Sequence, residues 1–196
     1  MNFLAHAWLS FKAPDILVGN MISDFVKGKK KYEYSKKIQQ GIALHRAIDQ
    51  FTDSHAATQK AKSFFKADYR LYSGALVDVV YDHFLANDIH EFKNDRELAS
   101  FAQETYGVLT PYMSAVPDKF QVMFRYMKRQ DWLYNYRLRE GINNSLAGLV
   151  RRAVHLHDHS PAMAILDHHY VELENCYSLF FPELKQFAYQ EFLTIL

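Results

Sequence analysis

Histidines and aspartates set one helical turn apart are the part of this chain that could do chemistry. His45, Asp49 and Asp53 follow one another at intervals of four, Asn20 and Asp24 are four apart, and so are Asp78 and Asp82, with His83 adjoining. An interval of four puts side chains on one face of a helix. His6 stands alone in an apolar N-terminal stretch. Imidazole and carboxylate donors without thiolates suit Mn²⁺, Mg²⁺, Fe²⁺ or Zn²⁺, and the oxygen-rich mix leans toward Mn²⁺ or Mg²⁺. Metal-assisted hydrolysis of a phosphate ester is the reaction these donors point to.

Each set also has a plainer reading. Asp24 could end its helix in water. His45, Asp49 and Asp53 could form a solvated face, with Arg46 paired to Asp49 or Asp53. A lone His6 could be a satisfied core residue, joining the others only if the fold brings it there. The third set resists this treatment. Leu76, Val77, Val79, Val80, Tyr81, Phe84 and Leu85 make its helix apolar nearly all round, so it should be buried. Asp78 and Asp82 on such a helix cost several kcal/mol unless a cation or a pair of basic side chains neutralises them.

Other clusters carry less. His155, His157, Asp158 and His159 include the one literal His-Asp dipeptide, but they fall at a predicted helix end and read as a solvated turn. Asp167, His168, His169 and Tyr170 lie in a helix with one exposed side. The chain has no Gly-x-Ser-x-Gly elbow, Walker loop, Gly-x-Gly-x-x-Gly or His-Glu-x-x-His. Cys176 is the single cysteine, which excludes an intrachain disulfide and a cysteine zinc site; it reads as a small buried thiol.

The elements that must hold these residues are helices. Apolar residues recur at i, i+3, i+4, and Pro14, Pro117, Pro161 and Pro182 stand where helices could begin. Ser160 is placed as an N-cap and Gly28 as a helix end. The pattern predicts helices over 2–11, 14–27, 36–53, 55–66, 69–89, 95–108, 117–129, 135–156, 161–180 and 182–194. The valines of 75–84 could suit a buried strand, but the apolar pattern from Leu71 through Leu85 is too long for one. Short connections and 196 residues predict one all-α, multi-helix domain over 1–196.

Hydrophobic residues are 49% and charged residues 23%, which excludes a disordered chain. The net charge of +1 gives no global field for nucleic acid or membrane, so an electrostatic partner must meet a local patch. Lys27, Lys29, Lys30 and Lys31, followed by Lys36 and Lys37, are the strongest one; Arg125, Lys128 and Arg129 are a weaker second. No apolar run reaches spanning length and no signal peptide is visible, so a soluble cytoplasmic protein is expected.

Several stretches carry a family likeness. Met1-Asn2-Phe3-Leu4-Ala5-His6, Gly19-Asn20, Asp24-Phe25-Val26-Lys27-Gly28, Leu44-His45-Arg46-Ala47-Ile48-Asp49, Thr52-Asp53, Leu76 through Leu85, and Leu166-Asp167-His168-His169-Tyr170 resemble the acyl carrier protein phosphodiesterases, in the same order and over nearly the whole chain. The resemblance implies removal of the 4′-phosphopantetheine arm from holo-acyl carrier protein. It also implies Mn²⁺ as the metal, with Mg²⁺ or Fe²⁺ as substitutes, and a divergent relative of the helical HD phosphohydrolases. Those enzymes carry adjacent His-Asp, whereas the order here is Asp82-His83.

On this reading His6, Asp24, His45, Asp82 and His83 hold the metal, with Asp78 as a ligand or just behind one. Asp49 or Asp53 orients water or takes its proton, Arg46 faces the phosphoryl oxygens, and Lys27, Lys29, Lys30 and Lys31 meet the acidic carrier protein. Two rival readings stand beside it. One is an HD-type nucleotide phosphohydrolase with the same metal site. The other is a metal-free helical module that binds an acidic protein or RNA through the lysine run, with Tyr32, Tyr34 or Tyr126 as aromatic contacts.

Overall fold

The computed structural model describes residues 1–153 and 158–195, which form helices and turns without a strand. The α-helices are α1 Phe3–Trp8, α2 Pro14–Ile22, α3 Lys36–Ser54, α4 Ala56–Tyr69, α5 Ser73–Asn87, α6 Asp95–Leu109, α7 Asp118–Arg129, α8 Trp132–Asn135, α9 Arg139–Arg152, α10 Ser160–His168 and α11 Tyr170–Thr194. Short 3-10 turns cover Ser23–Phe25, Gly28–Glu33, Arg70–Tyr72 and Thr110–Tyr112. One hydrophobic core runs through the α-helices. No helix of the described residues is long and apolar enough to cross a membrane.

Helix α5 is the axis of the fold, as its apolar sequence requires. Leu76, Val77, Val79, Val80, Tyr81, Phe84 and Leu85 are all buried, and α1, α4, α9 and α11 pack around them. The all-helical expectation holds, and the valine-rich stretch is helix rather than strand.

Helices α2 and α3 are the most closely packed pair, and glycine is the reason. A Cβ on Gly19 would collide with the Ile38 carbonyl, and one on Gly41 with the Ile16 carbonyl. With no side chain at either position, the two backbones approach directly. That approach brings the α2 residue Asn20 against the α3 residue His45.

Several expected boundaries move. Helix α2 stops at Ile22 rather than at residue 27, so Asp24 sits in a 3-10 turn as the chain reverses toward α3. Gly28 takes φ +59°, a left-handed conformation that glycine adopts without strain. Arg70 at φ +45° breaks the expected helix over 69–89 into α5 and the turn before it. Helix α11 runs through Pro182, where a new helix was expected to begin. Proline there removes one backbone donor, while Phe180, Phe181 and Leu184 around it are fully buried and hold the helix together. The break falls at His169 instead (φ −113°, ψ 26°). The helix expected from residue 161 begins one residue earlier, so Ser160 is its first residue rather than its N-cap, and the Asp158 carboxylate accepts the Ser160 N–H at 2.8 Å. His155 and His157 lie outside the described residues.

The glycine contact gives a test of the scaffold. Gly41→Ala should lower stability by about 1–3 kcal/mol or more, because the new methyl meets backbone that cannot turn away. Alanine at exposed Gly107, where a Cβ would meet open space, should leave the denaturant midpoint unchanged or raise it. Equal midpoints for the two variants would remove the close approach as the reason for these glycines.

Candidate metal centre

Two helices bring two imidazoles and a carboxylate to one point. His6 comes from α1, and His45 and Asp49 from consecutive turns of α3. Their ligand atoms all lie within 4.8 Å of one another, and no other group of this kind occurs among the described residues. The two rings stack at 3.9 Å between centroids and 17° between planes. His6 Nε2 is 3.2 Å from Asp49 Oδ1, and His45 Nε2 is 3.1 Å from Asp49 Oδ2. Both histidines are buried and Asp49 is partly open, so the point they face has a route to solvent.

One residue sets both rings. Asn20 accepts His6 Nδ1–H on its side-chain oxygen at 2.8 Å and His45 Nδ1–H on its backbone carbonyl at 2.8 Å. The side-chain amide is fixed in its turn: Nδ2 donates to the His6 carbonyl at 2.8 Å and to Ser10 Oγ at 3.1 Å. With both Nδ1 atoms protonated, each ring turns its Nε2 toward Asp49, and a cation bound there would replace the proton that His45 carries at neutral pH. Imidazoles that bind metals are held this way, donating the far N–H to a fixed oxygen. His6 Nε2 is buried and makes no hydrogen bond despite its closeness to Asp49. The donor set therefore fits a divalent cation.

Charge reinforces the arrangement. Burial would depress His45, but the facing Asp24 and Asp49 carboxylates outweigh it and raise its pKa to about 9. Burial and the neighbouring His45 push His6 down to about 4. Asp49 would be raised by its own burial, yet His45 and His6 hold it well below the ordinary carboxylate range. Asp24 is exposed and reaches only His45, 3.2 Å from Nε2; that hydrogen bond lowers its pKa. The Met1 ammonium is buried beside the cluster, 3.0 Å from Asp78 and 3.5 Å from Asp49. It is the cation that an acidic residue on the apolar helix α5 needs. Burial nevertheless pushes Asp78 up.

The remaining expected site residues lie outside this cluster. Asp82 is fully buried and its oxygens are taken by backbone: Leu4 N–H donates at 2.7 Å, and Asn2 and Ala5 N–H at 3.3 Å each. It caps α1, whose own Asn2 makes no side-chain cap. His83 belongs to another neighbourhood, its Nδ1 bonded to the Tyr136 carbonyl at 2.7 Å and its Nε2 to Tyr170 Oη at 3.0 Å. Asp82 and His83 point apart because adjacent helical residues do. Asp53 is exposed and paired with Lys62 at 2.6 Å. Arg46 pairs with neither Asp49 nor Asp53; its guanidinium reaches the Val26 carbonyl at 3.4 Å. It lines, with Lys31, a cleft of about 280 Å³. Lys27, Lys29 and Lys30 are exposed on the turn after Asp24, on that same side of α3.

One participant was named in the sequence without its role, and one was missed. Asn20 was visible as a polar residue in an apolar helix, but its role as a shared acceptor needs the contact between α2 and α3. The Met1 ammonium carries no signal in a pattern of side chains.

Comparison with known proteins gives one consistent result. A family described as acyl carrier protein phosphodiesterase matches residues 1–184. A protein of Yersinia pestis with that name is 33% identical over 188 residues, covering 96% of this chain and 97% of the relative. Namesakes from Serratia proteamaculans and Photorhabdus laumondii are each 31% identical over 96% of this chain, covering 97% and 95% of the relatives. No solved structure gives a significant match.

The site's electrostatics fix how stability should depend on pH. In the metal-free protein, His45 (about 9) and the Met1 ammonium (about 10) both stand above their unfolded values of 6.5 and 8.0. Groups raised on folding stabilise fully below the unfolded pKa and lose that contribution as pH rises through the folded one. Asp49→Asn should therefore lower Tm at pH 6, with the gap to the parent protein closing as pH rises through about 9 to 10. Thermal melts across that range check it; a pH-independent gap would show that Asp49 acts through packing alone.

Proposed function

The chain belongs to the acyl carrier protein phosphodiesterase family, and on that premise we propose that it cleaves, with a bound divalent cation, the phosphodiester between a carrier-protein serine and its 4′-phosphopantetheine arm. The products are apo-acyl carrier protein and free 4′-phosphopantetheine. The observation that supports this reading best is the pair of buried Nε2 atoms, each set by Asn20, that face Asp49 together.

His6, His45 and Asp49 would hold the cation, Mn²⁺ being the first choice, with Asp24 next to His45 as a further carboxylate. When bound, the cation would polarise the phosphoryl group and supply a nucleophilic water at neutral pH. Asp49, held far below neutrality, suits ligation and is too weak a base to take a proton. Asp78 is the better acceptor, since burial lifts its carboxyl toward the working pH. Asp82 holds α1 and thereby His6, and does so from outside the reaction.

The carrier protein's acidic surface would meet Lys27, Lys29, Lys30, Lys31 and Arg46. These cations lie on one flank of α3, beside the turn that carries Asp24. Arg46 thus moves from the phosphoryl group, where the sequence put it, to the docking surface.

Two experiments test this reading. Holo-acyl carrier protein incubated with the protein and Mn²⁺ should lose the mass of its arm. His6→Gln or His45→Gln should slow that loss at least ~100-fold with the helical circular dichroism unchanged; an unaltered carrier mass with every divalent cation tried would reject the activity. Separately, replacing Lys29, Lys30 and Lys31 by Ala should lower kcat/KM on the carrier protein and flatten its fall with ionic strength, while hydrolysis of a small phosphodiester stays as it was. Equal effects on both substrates would take these lysines off the docking surface.

A further inference from the structure

Helix α4 carries a row of cations that the proposed chemistry does not use. Lys62, Lys66 and Arg70 follow at intervals of four, so they share one side of α4. All three line a groove of about 640 Å³ between α4 and the start of α5. Asp53 takes Lys62 at 2.6 Å. Lys66 and Arg70 are exposed and have no acidic partner among the described residues. Asp68, the acid between them in sequence, lies on the other side of the helix. Two unpaired cations one turn apart call for an anionic occupant.

The turn at the end of the row narrows the choice. Arg70 stands at φ +45°, a left-handed backbone that a residue with a Cβ adopts under strain. The turn is pinned on both sides. Tyr69 is buried before it, its Oη donating to the Asp158 carbonyl at 3.1 Å and accepting the Ala162 N–H at 2.9 Å. Ser73 is buried after it, its Oγ donating to the Arg70 carbonyl at 2.5 Å. Between these anchors Leu71 is 99% exposed. An exposed leucine alone says little. A leucine held in water by a strained and anchored turn, beside unpaired cations, is a preorganised contact for a protein with an acidic surface. A free phosphate or a nucleic acid backbone has no use for the apolar tip.

Position ties this surface to the metal centre. No residue of the His6, His45 and Asp49 cluster lines the groove, so its occupant is not the reacting group. Asp53 and Asp78 do line it. Asp53 lies one turn beyond Asp49 on α3, and Asp78 shares the Met1 ammonium with Asp49. Arg46 and Asp53 stand on the same side of α3, about 10 Å apart along its axis, with Asp49 between them. Cations therefore flank the centre at both ends, the lysine turn with Arg46 before it and the α4 row beyond it.

We propose that Lys66, Arg70 and Leu71 form a second docking surface for the acidic carrier protein, which would then lie astride the metal centre rather than to one side of it. The inference rests on the proposed activity and extends its docking surface from the lysine turn to α4. Contacts at both ends would centre the serine phosphodiester over Asp49 and restrain its tilt, as the positioning of a reacting group demands.

Apo-carrier protein has no bond to cleave and so reads docking apart from catalysis. Titrated into isotope-labelled parent protein, it should shift backbone amides around Lys66, Arg70 and Leu71 as well as around the lysine turn. Lys66→Glu combined with Arg70→Glu should weaken its binding about tenfold or more and flatten its fall with salt. Leu71→Ser, at an exposed side chain, should weaken it about threefold with the salt dependence unchanged. Both variants should raise KM for holo-carrier protein by the same factors, while hydrolysis of bis(p-nitrophenyl) phosphate and the thermal midpoint stay at the parent values. Shifts and KM changes confined to the lysine turn overturn this surface and leave the activity standing. So does a silent Leu71→Ser together with inorganic phosphate, or an RNA oligonucleotide, that shifts the α4 amides at lower concentration than the carrier does, since the cations would then serve another anion. No arm release from the parent protein rejects the activity, and the titration still decides the surface by itself.

Discussion

The candidate centre depends on Asn20 meeting two histidines at once. Its side-chain oxygen fixes one ring and its backbone oxygen the other, so a single residue sets two tautomers. Without such partners, an imidazole presents either nitrogen. Because both acceptors belong to one residue on a buried helix, the two Nε2 atoms are positioned relative to each other as well as to the backbone. The amide that does this is saturated, bonded also to the His6 carbonyl and to Ser10, and it has no alternative orientation that keeps all its bonds. The glycines at 19 and 41 serve the same end, since a wider separation of α2 and α3 would part the Asn20 carbonyl from His45.

A second constraint acts from α5. Asp82 reads as a ligand on any pattern of acids and histidines, being buried, acidic and one turn from Asp78. Its oxygens instead take the first N–H groups of α1. A six-residue helix has little stability of its own, so its position must come from tertiary contacts. Asp82 supplies one, and the Met1 ammonium between Asp78 and Asp49 supplies another. The acids of α5 hold α1, and α1 carries His6. The electrostatic problem posed by charges on an apolar helix was real, and backbone donors with a terminal ammonium solve it.

The fold class was legible in the sequence because helical periodicity is local. Helix α3 is found almost to the residue, and α5 survives the competing strand reading on length alone. Boundaries failed where tertiary burial overrode local preference, most plainly at Pro182, which the apolar residues around it keep inside a helix. The site was legible in part. Spacing alone put His45 and Asp49 on one face, and His6 was named as a candidate that only the fold could bring in. Asp82 and His83 were grouped because they are neighbours in sequence, although helical neighbours diverge by about 100°. Asp49 was read as a base and stands in the middle of the donors, a position that only the crossing of α1 over α3 creates.

Charge along α3 frames the site. Arg46, Asp49 and Asp53 mark successive steps along the outer side of the helix. Arg46 joins the cations of the lysine turn, Asp49 faces the two imidazoles, and Asp53 meets Lys62 across the next groove. The groove past Asp53 also holds Lys66 and Arg70, which have no acidic partner among the described residues. Unpaired cations therefore stand beyond Asp49 as well as before it along α3. The net charge of the whole chain, close to zero, conceals them, because acids elsewhere cancel them in the sum.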